Sequence, residues 1–191
     1  MAVRNSDDIL VGGARIFITE TVKNASTNED EDVKHELGWM SGEFKVEEQA
    51  SNITIKESEG SIITTIATDK EVHLTFSLLE CNLDTLMLLN PSATPLDETK
   101  ADGKGFAVGT YQSEKYFPIE VWHKKRSGMY RCVRLYKGKV SGNFTSFLLN
   151  QDNANPISID IVAIGDTSKN TTNNIYEQFE CEAAKAPGGG W

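Results

Sequence analysis

Apolar and polar residues alternate with a period of two along much of this chain, and that alternation predicts strands. In the stretch from Glu71 to Leu78, Val72, Leu74, Phe76 and Leu78 fall on one face and His73, Thr75 and Ser77 on the other. Phe44 and Val46 alternate with Glu43, Lys45 and Glu47, and Ile53 and Ile55 continue the alternation after a short break, which reads as two strands or one long bent one. Ser58-Glu59-Gly60-Ser61 predicts a turn before a short β-branched strand from Ile62 to Ala67. Residues 9–20 read as a strand bent at Gly12-Gly13. Phe117, Ile119 and Val121 alternate with Pro118, Glu120 and Trp122, and Pro118, which has no amide proton to donate, puts this strand at an edge or a bulge. Ser127-Gly128 turns the chain so that Met129 to Val140 pairs back as a hairpin. Two more short strands are expected over residues 142–149 and 156–164.

One segment has the helical period instead. Asn82 can cap, Asp84 favours the first turn, Leu83, Leu86 and Met87 share a face, and Pro91 ends the run, which predicts about two turns of helix. Residues 21–38 and 91–110 have neither period and read as two long loops, and loops of that length are usually functional or disordered. Ala183 to Trp191 reads as a flexible tail, with Trp191 on its Gly188-Gly189-Gly190 tether either a frayed end or an anchor into a neighbouring subunit. The elements add up to one mainly β domain over residues 1–182 with one short helix.

With 191 residues and 39% hydrophobic content, the chain suits one domain with a compact core and long solvated loops. The first residues lack an apolar segment behind a basic start, so the expected compartment is the cytosol and no membrane insertion is expected. In that compartment the Asn-x-Ser/Thr sequons at Asn24, Asn52, Asn143 and Asn170 are ordinary polar residues. Cys81, Cys132 and Cys181 form no CxxC pair and are odd in number, which suits free thiols acting as small buried hydrophobes.

The net charge of −9 is unevenly distributed. Residues 111–140 carry +6, whereas residues 1–60 carry −7 and the remaining two segments −4 each. The basic block is Lys124, Lys125 and Arg126 with Arg131, Arg134, Lys137 and Lys139, and the sharpest acidic run is Glu29-Asp30-Glu31-Asp32. An acidic chain without a recognition helix or RNP-like aromatics is a poor match for nucleic acid. The block reads either as a solvated hairpin face or as a surface complementary to the acidic run of another copy.

Catalytic patterns are sparse. His35, His73 and His123 are scattered without HExxH spacing or cysteine partners, there is no GxSxG, and Gly103, Gly105 and Gly109 do not make a phosphate-binding loop. Carboxylates such as Glu120 and Asp160 could in principle pair for acid–base work, but any acidic protein supplies such pairs. No cofactor or metal is expected and a non-enzymatic role is.

The run Thr68 to Leu86, a strand ending in Leu79-Glu80 followed by a short amphipathic helix, resembles a signature of bacteriophage tail tube proteins. Leu37-Gly38-Trp39 before the alternating Glu43 to Glu47, and Pro156 to Ile161 leading to Gly165-Asp166, are similar to other segments of that family. The resemblance covers roughly residues 37–90 and 156–166. It implies a β-sandwich or barrel flanked by a short helix, hexameric rings stacked into a tube, an acidic lumen through which genomic DNA passes without specific binding, and a place in the virion tail after assembly in the host bacterial cytoplasm. Residues 21–38, with Glu29, Asp30, Glu31 and Asp32, become the inter-ring loop, and Glu43, Lys45 and Glu47 the lumen candidates. Further copies of the chain and tape measure, tail terminator and tail-tip proteins are the implied partners. A genome-free tube of a phage-derived bacteriocin or secretion apparatus, a ligand-binding β-sandwich using Trp39 and Trp122, and a small carboxylate hydrolase are the rival readings.

Overall fold

The computed structural model describes residues 13–24, 26–38, 40–56, 62–79, 82–96, 103–110, 115–141, 145, 156–170 and 174–182. The fold is mainly β, of the β-sandwich or barrel type, with one short helix. Its strands are β1 (Ala14–Lys23), β2 (Asp30–Glu36), β3 (Met40–Lys56), β4 (Ile62–Leu78), β5 (Ala93–Pro95), β6 (Phe106–Val108), β7 (Phe117–Lys124), β8 (Tyr130–Val140), β9 (Ile157–Ala163) and β10 (Tyr176–Cys181), and helix α1 spans Leu83–Leu89.

One antiparallel sheet runs in the order β2-β1-β7-β8-β9-β4-β3, with β10 beside β8, and β5 and β6 form a separate small hairpin. β8 has two partners on one side: β10 along Tyr130 to Leu135, then β9 along Gly138 to Val140. The changeover occurs at a bulge. Between the pairs Phe117–Gly138 and Ile119–Leu135, β8 advances three residues while β7 advances two. Pro118 sits in that gap, where the ladder asks for no proline donor. The bulged Tyr136 amide donates to the Ile175 carbonyl at 3.2 Å, and the Lys137 carbonyl accepts from the Ile164 amide at 2.9 Å. Pro118 therefore occupies a bulge in an interior strand, the second of the two placements its ring allows.

The main core lies on one face of the curled sheet. Ile16 and Ile18 of β1, Val72, Leu74 and Phe76 of β4, Ile119 and Val121 of β7, Leu135 of β8 and Ile159 and Ile161 of β9 pack there with Leu37 and Leu89. Alternation put these residues inside, and their burial supplies most of the driving force for folding. Gly138 belongs to the same layer: a Cβ at this position would lie 2.7 Å from Ile119 Cδ1 and 2.9 Å from Ile161 Cγ2.

A second, smaller cluster occupies the other face of β1, β7, β8 and β10, built from Phe17, Trp122, Tyr130, Cys132 and Cys181 with Phe179 against it. Trp122 and Phe179 meet edge to face with centroids 5.8 Å apart. Strand β10 was not anticipated, because Tyr176 to Cys181 alternates only weakly.

Several expected boundaries change. Residues 21–38 are not a loop: β1 continues to Lys23 and pairs with β2, leaving a tight connection over residues 24–29. There Asn24 Oδ1 accepts the Ser26 amide at 2.9 Å and Asn28 takes a φ of 56°, so two turn-forming residues close a hairpin. The second expected loop, residues 91–110, contains the β5–β6 hairpin. Residues 43–56 form one long strand and 62–78 another, and the turn between them lies outside the described residues. The strand expected over 142–149 lies outside them too, save Thr145, which is in no strand. In α1, Asn82 Oδ1 accepts the Thr85 amide at 2.8 Å as expected of a cap. Its buried face is Thr85, Leu86 and Leu89, whereas Leu83, expected inside, is exposed at the first helical position.

Candidate functional site: strand edges and charged faces

Among the described residues, β2 and β3 are the edge strands of the large sheet. β3 pairs only with β4 among the described residues, and β4 pairs with β9 only from Val72 to Leu78. Beyond that point β3 and β4 continue as a two-stranded ribbon, in which Gln49, Ala50, Ser51, Asn52, Thr54 and Ile55 are all exposed. Such a ribbon buries little and is marginal alone in water. At its base Glu48 contacts Lys70 and Tyr176, tying it to β10.

The lumen candidates lie on this edge strand. Phe44 and Val46 pack toward the core, and Glu43, Lys45 and Glu47 are exposed on the opposite face. Lys45 Nζ is 2.7 Å from Glu47 Oε2, and that hydrogen bond raises the lysine's affinity for its proton. The same polar face continues through His73, Thr75 and Ser77 of β4.

The acidic run sits at the start of β2 and the tip of the first hairpin. Glu29, Asp30, Glu31 and Asp32 are exposed. Thr21 Oγ1 donates to Asp32 Oδ1 at 2.7 Å and Asn24 Nδ2 to Glu31 Oε2 at 3.0 Å, both neutral donors.

Within the basic block, Lys125, Arg131 and Arg134 are bonded to carboxylates of their own chain. Lys125 is buried and donates to Glu180 at 3.0 and 3.2 Å. Arg131 reaches the same carboxylate at 2.7 and 3.0 Å. Arg134 donates to Glu120 at 3.0 Å and to Glu177 at 2.7 Å. Lys124, over the Tyr130 ring at 5.9 Å, and Arg126, in the turn, remain exposed. Part of the +6 surplus of residues 111–140 is thus answered by Glu177 and Glu180 of β10, which lie too far along the sequence to be recognised as partners.

Glu120 is the hub of this face. It is buried and accepts Lys34 Nζ at 2.9 Å and Trp122 Nε1 at 3.0 Å in addition to Arg134. Burial pushes the carboxyl up, but the hydrogen bonds from Lys34 and Trp122 and the charges of Lys34 and Arg134 outweigh it and hold it below the usual carboxylate range. Glu120 and Asp160 are therefore not an acid–base pair, since each is engaged elsewhere. Trp122, with its indole bonded and its ring buried, is also closed to a sugar ring, and Trp39 lies outside the described residues along with Cys81 and Trp191.

Asp160 has a different company. Its Oδ1 lies 3.3 Å from His73 Nδ1 and its Oδ2 accepts Ser141 Oγ at 2.6 Å, with Glu71 3.7 Å from His73 Nε2. The carboxylate stands between serine and imidazole, so the histidine is not aligned to take the serine proton, as a hydrolytic triad requires. A cleft of about 600 Å³ between β2 and α1 is lined by Glu20, His35, Glu36, Asp84, Met87 and Lys115. In it His35 Nε2, a shielded atom on a partly exposed ring, lies 3.3 Å from Glu20 Oε2. Among the described residues no group of three or more His, Cys, Asp or Glu could hold a metal ion, and no helix is long and apolar enough to cross a membrane. No family model matches the chain, and no curated protein matches it.

Proposed function

We propose that this chain is a non-enzymatic structural subunit of a bacteriophage tail tube, polymerising as stacked, hexameric rings whose channel passes DNA. The observation that carries the reading is the β3–β4 ribbon, two long strands that extend past the core they spring from and whose outer edge has no partner strand among the described residues. An isolated ribbon gains from pairing with another copy, and free sheet edges are otherwise blunted or covered in monomeric proteins. The polar outward face carrying Glu43, Lys45 and Glu47 suits a wall in contact with water, and a net acidic wall repels phosphates so that DNA slides without sticking. The rest of the case is the resemblance of residues 37–90 and 156–166 to tail tube proteins. On this reading tape measure, terminator and tail-tip proteins are the other partners, and the assembled particle is the virion tail.

Negative-stain electron microscopy of purified protein over a range of concentration and ionic strength tests it. Rings or tubes of uniform diameter are expected, and deleting residues 50–68 should abolish them while leaving a folded monomer. Particles that stay monomeric in every condition would overturn the reading.

A further inference from the structure

A strand face shows alternate residues, so three successive residues of β2, Lys34, His35 and Glu36, line the cleft against α1 only because it runs along the strand's edge. The backbone agrees. The Leu37 amide donates to the Ile16 carbonyl and the Asn24 amide to the Glu29 carbonyl, both at 2.9 Å, and the β1–β2 register between them is unbroken. In an antiparallel ladder bonded pairs alternate with unbonded ones, so Val33 and His35 bond to β1 while the amides and carbonyls of Lys34 and Glu36 point away from it. Among the described residues no strand pairs with that side of β2. The opposite wall of the cleft is apolar, made by Met87 and Leu88 of α1 with Ala93 and Pro95 of β5.

Outward amides beside an apolar wall are the two halves of a strand-addition site: the edge supplies main-chain hydrogen bonds and the wall receives alternate side chains. An occupant has to be extended and to have an edge of its own to offer. β3 of a second copy meets both conditions, since its outer side has no partner strand among the described residues. Charge decides which part of it fits. β2 carries Asp30, Glu31, Asp32 and Glu36 against the single lysine Lys34. The first half of β3 carries Glu43, Glu47 and Glu48 and would be repelled, because like charges across a strand pair are destabilising. Residues 49–55 carry no charge, and Lys56 follows them. The same stretch lies in the ribbon, where Ile55 is an aliphatic side chain left 43% exposed.

We propose that the cleft between β2 and α1 is the seat of the β3–β4 ribbon of a second copy, with residues Gln49 to Ile55 added as a strand along Lys34 and Glu36 and Ile55 packed on the apolar wall. The proposal deepens the tube reading by naming the surface that receives the ribbon, and rests on that reading for the identity of the partner. Donor strand and acceptor edge are different parts of the chain, so the contact is heterologous. Every copy gives one ribbon and takes another, and a run of such contacts can close into a ring.

Two full-length variants and a control test the contact. Glu36→Pro removes an amide that points away from β1 and leaves the β1 ladder whole, and Glu36→Ala controls for the lost ion pair with Arg15. Ile55→Asp sets a carboxylate against the acidic edge. In sedimentation velocity Glu36→Pro and Ile55→Asp should each associate at least about tenfold more weakly than the parent. Glu36→Ala should stay within about threefold of it, as befits a surface ion pair. An equimolar mixture of Glu36→Pro and Ile55→Asp should form dimers that grow no further, because the intact ribbon of the first docks in the intact cleft of the second and neither has another contact to make. A misfolded chain cannot be rescued by mixing, so these dimers separate a lost contact from a lost fold. Parental association by either variant, or a mixture no more associated than its components, overturns the proposal. So does equal weakening by Glu36→Ala and Glu36→Pro, since the ion pair and not the strand edge would then matter. Dimers in the mixture, from a parent that forms neither rings nor tubes in the microscope, sink the tube reading and leave the cleft standing. Uniform tubes from the parent and from both variants alike do the opposite.

Discussion

Lys125, in the turn between β7 and β8, donates to Glu180 of β10 across 55 residues of sequence at 3.0 and 3.2 Å. Glu180 also holds Arg131, and Glu177 holds Arg134 and, at 2.8 Å, the Tyr136 hydroxyl. β10 adds only Phe179 and Cys181 to the second cluster, so ion pairs share with ladder hydrogen bonds the task of keeping it on β8. Turning Lys125 to glutamate sets two carboxylates against each other at a buried position, which is strongly unfavourable. Hydrogen exchange should then show β10 amides opening at least about tenfold faster than in the parent, while Lys124→Glu leaves them within about twofold. Equal protection in the two variants would mean that Glu180 does not latch the strand. The contrast also makes reversal of Lys124, Lys125 and Arg126 together a poor probe of assembly, since it damages the fold first.

Glu120 makes stability depend on acid. Its carboxyl is held below its ordinary value of 4.5 in the folded protein. A group depressed in this way contributes stability that is fully present above the unfolded value and is lost as pH falls through the folded one. Glu120→Gln removes the charge that answers Lys34 and Arg134 and should cost about 3 kcal/mol at pH 7, read from urea midpoints at constant m. The gap between parent and variant should close as the pH drops below 4.5 and toward the folded value. A gap that stays constant down to the acid limit of folding would show that packing around Trp122 sets the cost instead of the charge.

The β-rich fold was legible wherever one face of a strand is buried. Val72, Leu74, Phe76 and Leu78 went to the core because strict alternation leaves one solution for register. Asn82 was legible because capping is chemistry within three residues of sequence. Residues 21–38 misled because only the base of the hairpin, at Leu37, reaches the core, and the exposed remainder needs no apolar face, so its strands carry no hydrophobic period. The basic block misled for another reason: charge counted along the chain is blind to pairing across the sheet, and β10 returns Glu177 and Glu180 to the block's own face. Leu83 misled because the helix has too few turns to fix its orientation, and the docking of Leu86 and Leu89 decided which side turned inward.

Cys132 gives a chemical test of the second cluster. Burial is the largest of the influences that push its thiol up to about 12, with the charge of Glu120 next. A thiol is reactive as thiolate, so Cys132 should stay unmodified by iodoacetamide at pH 8 for as long as the sheet is closed. Peptide mapping after labelling should find Cys132 alkylated in urea at least about a hundredfold faster than in buffer. Comparable rates would mean that the face of β8 beneath Phe179 opens freely.

Gly138 tests whether the bulge is held by packing. Its missing side chain lets Ile119 and Ile161 close over β8, and a methyl group would sit 2.7 Å from Ile119 Cδ1 and 3.4 Å from the Phe117 carbonyl oxygen. The isoleucine ends can shift a little, whereas the carbonyl belongs to the strand that carries Pro118, so only part of the strain can relax. Gly138→Ala should therefore destabilise by about 1–3 kcal/mol through overpacking, despite alanine's lower entropy cost on folding. Trimming the nearer neighbour should return part of that loss, so that Gly138→Ala with Ile119→Val is less destabilised than the sum of the two single changes by more than about 0.5 kcal/mol. Strict additivity of the pair in urea unfolding would locate the constraint in the backbone of the bulge and not in the contact with Ile119.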